Sequence, residues 1–315
     1  MIDPVEDARV RAAAFEWLSQ QVAAHGDVLP REVLAKGFVL DNTRVPLVGP
    51  QGIFKPQVLR QAPLSITTSP DGPYDDSFGP DNLLRYRYRG TDPMHPDNRR
   101  LRLAMEKRLP LVYFHGVVPG KYLATWPVFV VADHPEALAF SIAVDDAQHM
   151  GFAVTGSIED SSFVSEDAAS ARREYVTAAV RVRLHQRAFR ERVLEAYHRQ
   201  CAFCRLRHEE LLDAAHILPD SEPEGEAAVQ NGLSLCKLHH AAFDRYFLGL
   251  RPDLVIQVRP DILRETDGPT LVHAIQALHG AKIHFPRREA LRPASQFVEV
   301  RYQRFLESNA TLPSS

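Results

Sequence analysis

The sequence predicts an α+β protein with two domains, a β-rich domain followed by a smaller α+β domain. The chain has 315 residues, 45% hydrophobic and 24% charged, which suffices for two separate cores. Short β-like segments occupy much of the first half, whereas an arginine-rich stretch with apolar residues at helical spacing begins near residue 171. Residues 156–170 between them are small, acidic and polar. We therefore predict domains at residues 1–155 and 171–315, joined by a linker at 156–170.

The first domain is predicted to open with a helix and to continue as short strands. Apolar residues recur near a 3.6-residue period in residues 4–24, and Pro4 suits the first helical position. A second short helix fits PREVLAKG and ends at Gly37. The strand candidates are RVPLV, GIFKP, LSITTS, LLRYRYRG, the two halves of LPLVYFHGVVPGKYLATWPVFVVAD and ALAFSIAV. A further short helix fits RRLRLAMEKR, and the elements together predict a β-barrel-like domain.

Basic residues are concentrated in two segments, although the net charge is only −3. Ten arginines lie between Arg172 and Arg207, and eight lysines or arginines lie between Arg85 and Arg108. The strand LLRYRYRG places Arg85, Arg87 and Arg89 on one face. Such local charge either binds phosphates or forms a solvated face.

The chain shows no apolar run of membrane-spanning length and no signal-peptide core, so we expect no membrane partner and a cytoplasmic protein. Its three cysteines predict a metal site rather than disulfides, because they are few, odd in number and clustered. Cys201 and Cys204 have a two-residue spacer, and Cys236 and His239 repeat it. Thiolate and imidazole suit tetrahedral Zn²⁺, so these four residues predict a structural zinc.

Three further residues lie between and beside these ligands in a characteristic order. The segment DAAHILP contains His216, QNGLSLC contains Asn231, and CKLHHAAFD adds His240 directly after His239. In residue types, order and spacing, residues 195–250 resemble the HNH (ββα-metal) nucleases, in the subgroup with AAHI…NGLxLCxxHHxxFD. The resemblance implies a C-terminal domain in which a β-hairpin and a helix bind one catalytic divalent ion, Mg²⁺ or a similar cation.

The resemblance also implies a role for each of the three residues. His216 is implied to be the general base that deprotonates the attacking water, and Asn231 to hold the hairpin loop. His240 is implied to be a ligand of the catalytic ion, while His239 completes the zinc site. The position before the base, often a ligand in this family, is Ala215 here. Asp213, on the same strand face as Ala215, or Asp244, one helical turn after His240, could supply the missing carboxylate; Asp244 could equally be a surface or capping residue.

The first domain is similar, in gross pattern and in its position before an HNH domain, to the SRA/PUA-like barrels of modification-dependent restriction endonucleases. This resemblance implies double-stranded DNA as partner, with a modified base, in particular a modified cytosine, flipped into an aromatic pocket. Tyr74, Asp75, Asp76 and Phe78 form an aromatic and acidic loop suited to such a pocket. A homodimer would supply the two active sites that a double-strand break needs.

Two other functions fit the same sequence. The chain could be an HNH nuclease whose first domain binds an unmodified sequence or a protein partner. It could also be a catalytically weak, zinc-stabilised DNA-binding protein, for which Ala215 is the one argument.

Overall fold

The structure is a computed structural model. It describes residues 4–70, 79, 83–144, 166–219, 222, 225, 227–266 and 268–310. The chain divides into two compact units, residues 1–187 and 188–315. Within the described ranges, no helix has the length and apolar character needed to cross a membrane.

The first unit combines a long N-terminal helix with a series of strands and two shorter helices. Its elements are α1 (Pro4–His25), β1 (Val28–Pro30), α2 (Arg31–Lys36), β2 (Phe38–Leu40), β3 (Thr43–Val45), β4 (Ile53–Phe54), β5 (Ser65–Thr67), β6 (Leu84–Arg87), α3 (Pro96–Glu106), β7 (Leu111–Val118), β8 (Lys121–His134) and β9 (Ala139–Val144). The helix α4 (Glu166–Ala196) begins in this unit and ends in the second.

Seven of these strands form one curled sheet in the order β4-β5-β7-β8-β9-β6, with β1 also paired to β8. Only β5 and β7 run parallel among these pairs. The 14-residue strand β8 pairs with β7 along one edge, while β1 and β9 share its other edge. Register shifts at residues 111–113, 116–118 and 130–132 bend these strands. The sheet is therefore a half-barrel rather than a closed barrel.

The core of the first unit lies between α1 and this sheet. Val10, Ala14 and Leu18 recur every four residues on one face of α1, and all three are fully buried with Phe114 of β7. Arg11 is also buried: its guanidinium pairs with Asp7 and donates to the carbonyls of Pro63 and Pro110. These bonds fix the helix to the residues just before β5 and β7.

The second unit has a hairpin, a short helix after it, and a small supporting layer. Its elements are the end of α4, β10 (Leu212–His216), β11 (Gly232–Cys236), α5 (Lys237–Asp244), β12 (Leu248–Leu250), β13 (Ile256–Val258), α6 (Pro260–Arg264), α7 (Pro269–Ala274) and α8 (Ser295–Ala310). Strands β10 and β11 pair antiparallel, as do β12 and β13. The apolar core of this unit includes Phe189, Val193 and Tyr197 of α4.

The mixed α+β class is confirmed, and most predicted elements are present. The helix predicted at 4–24 is α1, the helix predicted before Gly37 is α2, and Gly37 has a left-handed φ of 61°. The predicted linker at 156–170 lies mostly outside the described residues, and residues 166–170 belong to α4. The division at residues 187 and 188 falls inside the segment assigned to the nuclease domain.

Candidate active site

The order strand, strand, helix brings the sequence-predicted residues into one small region of the second unit. His216 is the last residue of β10 and pairs with Gly232, the first residue of β11. Leu212 at the other end of β10 pairs with Cys236, after which α5 begins. One hairpin therefore connects the segment of the predicted base to the segment of the predicted ligands.

His216 is held by an aromatic ring from α4. The ring of Phe189 stacks on the His216 imidazole, with centroids 3.9 Å apart and an angle of 9° between the planes. Gly232 makes this approach possible: a Cβ at this position would lie 2.4 Å from Cγ2 of Val193 and 3.0 Å from Cζ of Phe189. The helix, the glycine and the ring thus fix the plane of the imidazole.

Asn231 is fully buried and bonds to the backbone just after His216. Its side-chain amide donates to the Leu218 carbonyl at 2.8 Å, and its side-chain oxygen accepts from the Leu218 amide at 2.9 Å. The Asn231 carbonyl also accepts from the Ile217 amide at 2.9 Å. One asparagine therefore closes the two strands at the end where His216 lies.

His240 lies on α5 between two carboxylates. Asp213 Oδ2 is 3.7 Å from Nδ1 of His240, and Asp244 Oδ2 is 3.3 Å from Nε2. The two carboxylates face different ring nitrogens, so they do not converge on one side of the imidazole. All three side chains are at least partly exposed, which leaves oxygen and nitrogen donors open to a cation from solvent.

The position before the base carries no donor, since Ala215 is a fully buried methyl group. Asp213 is instead held by Arg190, whose Nε lies 3.5 Å from its Oδ1. The Arg190 guanidinium also donates to the Leu212 carbonyl at 2.9 Å. This arginine therefore places a positive charge beside Asp213 and fixes the start of β10.

The four predicted zinc ligands form a compact cluster. The donor atoms of Cys201, Cys204, Cys236 and His239 all lie within 4.8 Å of one another, and no other such group of three or more occurs in the described part of the chain. Cys201, Cys236 and His239 are buried, and Cys204 is exposed. Three thiols and an imidazole are a donor set that suits zinc.

The surroundings of the cluster favour the thiolate form of Cys236, whereas hydrogen bonds with Cys201 and Cys236 raise the pKa of Cys204. Hydrogen bonds from Cys201 and Cys204 lower the pKa of the Cys236 thiol far below its ordinary value, which stabilises the thiolate that a metal requires. His239 Nε2 lies 2.7 Å from the Ala274 carbonyl, so that nitrogen donates and Nδ1 faces the sulfurs. The Ala202 amide, which donates to the Ser234 carbonyl at 2.6 Å, ties the cysteine turn to β11.

The predicted DNA-contacting residues of the first unit have mixed positions. Tyr74, Asp75, Asp76 and Phe78 lie outside the described residues. On β6, the Arg85 guanidinium donates to Ser141, and Arg87 is exposed. The Arg89 guanidinium pairs with Asp97. Arg85 and Arg89 are thus bound to side chains of their own unit.

Phe189 and Arg190 are site residues that the sequence alone does not indicate. In the sequence, Phe189 is one apolar position of a helical pattern, and Arg190 is one of ten arginines in a basic segment. Their spacing to His216 and Asp213 in the chain is long, so no local pattern indicates the contacts. The one available signal is Gly232 directly after Asn231, which indicates a close approach of another side chain.

Comparison with known proteins supports the interpretation of the hairpin and α5. Residues 201–251 match the family model described as HNH endonuclease. No curated protein matches the chain. Two solved structures were also matched. A "Modification dependent TagI restriction endonuclease" has 16% identity and a TM-score of 0.29, over 91% of this chain and 90% of that one.

The second solved structure is a "Type IV phosphorothioation-dependent restriction endonuclease ScoMcrA", with 14% identity and a TM-score of 0.21, over 78% of this chain and 57% of that one. The family match covers the cysteine turn, the hairpin, α5 and β12. Residues 201–251 are therefore an HNH endonuclease domain, which makes the chain a DNA-cleaving hydrolase.

Proposed function

We propose that the chain is a modification-dependent restriction endonuclease that hydrolyses double-stranded DNA carrying a modified base. The nuclease part of this proposal rests on the HNH match over the β10–β11–α5 segment. His216 is the last residue of its first strand, and His240 lies in its helix. The proposal assigns recognition to the first unit and cleavage to the second.

His216 is the general base in this proposal. A neutral imidazole can take a proton from water near pH 7, and the resulting hydroxide attacks the phosphorus of the scissile phosphodiester. Phe189 fixes the plane of the ring, and Asn231 fixes the backbone of the two residues after it. Both therefore act as positioning residues, which reduce the range of orientations of the accepting nitrogen.

His240 and the carboxylates beside it are donor types that a divalent cation binds. His240 offers one ring nitrogen on the side of Asp213 and the other on the side of Asp244, and carboxylate oxygens suit Mg²⁺. When bound, such an ion stabilises the charge that develops on the phosphate and its leaving oxygen. We assign Asp213 and His240 as its protein ligands, because Asp213 belongs to the strand that carries the base. Asp244, exposed on the last residue of α5, is the alternative carboxylate.

The Cys201, Cys204, Cys236 and His239 cluster has a structural role in this proposal. Its ligands come from the turn before β10, the end of β11 and the start of α5. A zinc ion at this position would join all three elements of the nuclease motif. Because such sites contribute folding free energy directly, the hairpin is expected to depend on the metal.

The first unit is the proposed recognition domain. It has its own core and its own curled sheet, so it is a separate folded unit fused to a nuclease motif. An SRA-like domain of this kind would extrude a modified cytosine from the duplex and recognise it in a pocket. The aromatic and acidic segment at residues 74–78 has the composition that a pocket for a flipped base requires.

Plasmid digestion tests the proposal directly. Plasmids with and without 5-methyl- or 5-hydroxymethylcytosine are incubated with the full-length protein and Mg²⁺, and the cut fraction is followed in time. Burial of one added methyl group favours the modified plasmid by about 10- to 200-fold in rate. Equal cleavage of all plasmids would leave a nuclease whose first unit has another target, an unmodified sequence or a protein. No cleavage of any plasmid would contradict the nuclease assignment itself.

A further inference from the structure

A groove on the first unit runs beside α3, and arginine is the commonest residue type in its lining. It has a volume of about 630 Å³, and four of its lining residues are Arg60, Arg99, Arg100 and Arg102. Glu106 is the one carboxylate among the described residues that line it. Arg99, Arg102 and Glu106 follow one another at spacings of three and four, so they share a face of the helix.

Two of the four arginines are held by carboxylates and two are not. Arg100 lies 2.6 Å from Asp97, and Arg102 lies 2.7 Å from Asp133. Arg60 and Arg99 are exposed, and neither has a carboxylate partner in the part of the chain that the structure describes. The groove therefore has two fixed guanidinium groups and two that are available to an anionic ligand.

Positive charge exceeds negative charge around the groove. Asp97 is shared between Arg100 and Arg89, so one carboxylate serves two guanidinium groups. Lys55 is also nearby, since burial and then the charge of Arg100 lower the pKa of its ammonium group. An anion in the groove would reduce this mutual repulsion, which adds to the contacts it makes with the arginines.

The lining is also suited to more than an isolated ion. Met94, which is 64% exposed, and Leu103 add apolar surface beside the guanidinium groups. A sugar–phosphate chain presents alternating charged oxygens and apolar sugar faces, which match such a lining. By contrast, Arg85 and Arg89 of the predicted basic strand are bound to Ser141 and Asp97.

We propose that this groove binds backbone phosphates of the DNA duplex, with Arg60 and Arg99 as the direct contacts. The proposal rests on the proposed function, because it takes the cleaved DNA as the ligand. It assigns sequence-independent affinity to α3 and the segment at Arg60, and it leaves base recognition to another part of the chain.

Binding of a short duplex to the full-length protein over a range of salt concentrations tests this. His216→Ala is present throughout to prevent cleavage. The test variant adds Arg60→Gln and Arg99→Gln. The matched control adds Lys36→Gln and Arg108→Gln, which remove two exposed positive charges of the same unit that do not line the groove. Thermal midpoints of both variants establish that they are folded.

Each phosphate contact contributes about 0.9 to the slope of log affinity against log salt, so two contacts contribute about 1.8. At about 0.1 M salt, loss of both contacts corresponds to roughly 60-fold weaker DNA binding by the test variant, whereas the control should bind nearly as the parent protein does. A test variant that matches the control in slope and affinity would overturn the proposal. So would loss of inorganic pyrophosphate or ATP binding with an unchanged DNA slope, since the groove would then be a site for small phosphates.

Failure of the proposed function has a different outcome. In that case the wild-type protein cuts no DNA, and the His216→Ala protein binds none at any salt concentration. If the wild-type protein cuts DNA but the arginine variant keeps the control's slope, only the groove assignment fails.

Discussion

The ring of Phe189 lies parallel to the imidazole of His216 at a centroid distance of 3.9 Å. The two residues are on different elements, α4 and β10, and the contact requires a glycine at position 232. Because Phe189 has no titratable group, it takes no proton itself, and it acts on catalysis through His216. A substitution of Phe189 therefore tests how strongly cleavage depends on the orientation of His216, without removing the base itself.

Phe189→Leu should reduce the cleavage rate by about 10- to 100-fold while duplex affinity stays within a few fold, because misorientation of a catalytic group has costs of this order. Phe305→Leu is a matched control: it changes a fully buried phenylalanine of the same unit that packs on Gly249. Cleavage kinetics and thermal unfolding are measured for both. A Phe189→Leu enzyme as active as the control would contradict the positioning role.

Asn231→Asp should destabilise the second unit and abolish most cleavage. The substitution keeps the shape of the side chain but replaces the amide that donates to the Leu218 carbonyl with an oxygen. A buried carbonyl then faces an acceptor, which costs about 1–3 kcal/mol. Urea unfolding and cleavage assays check this. Unchanged stability would show that the asparagine does not close the hairpin as described.

Asp213→Asn should raise the Mg²⁺ concentration needed for half-maximal cleavage by at least about 10-fold, because substitutions around a metal site commonly weaken metal binding by this amount. Asp244→Asn removes the other carboxylate beside His240 and should have a smaller effect. Titration of cleavage against Mg²⁺ compares the two directly. The reverse ranking would move the ligand role from Asp213 to Asp244.

Purified protein should contain about one zinc per chain, and its removal by a strong chelator should unfold the second unit, because the four ligands join the turn, the hairpin and α5. Cys204→Ser should lower both zinc content and thermal stability. Elemental analysis and calorimetry are the measurements. Protein without zinc, or a Cys204→Ser variant with unchanged stability, would refute a structural zinc site.

Local patterns predicted much of the fold. Alternation in LLRYRYRG predicted a strand with one basic face, and in β6 Tyr86 is buried while Arg87 is exposed. The helix α4 begins at Glu166, earlier than predicted, because the small and acidic residues at 166–170 that suggest a linker also favour the first turn of a helix. Composition alone does not separate the two states.

The nuclease motif was predictable because its residues lie close together in the chain, and the four residues predicted to bind zinc form one cluster. The contacts between residues far apart in the sequence were not predictable. In the basic segment, Arg183 and Arg187 both pair with Asp27, which is far away in the sequence. A run of charge in the sequence does not show which guanidinium groups are already neutralised, and the arginines that remain available are found only in the folded unit.

The central claim is that His216 is the base of a DNA endonuclease. Its most direct test is cleavage of plasmid carrying a modified cytosine by the wild-type and His216→Ala proteins, with duplex binding and thermal unfolding measured in parallel. A general base contributes about 10²- to 10⁴-fold to a rate, so the variant should cut at least about 100-fold more slowly while it binds DNA and unfolds as the wild type does. A folded His216→Ala protein that cuts near the wild-type rate would contradict the account.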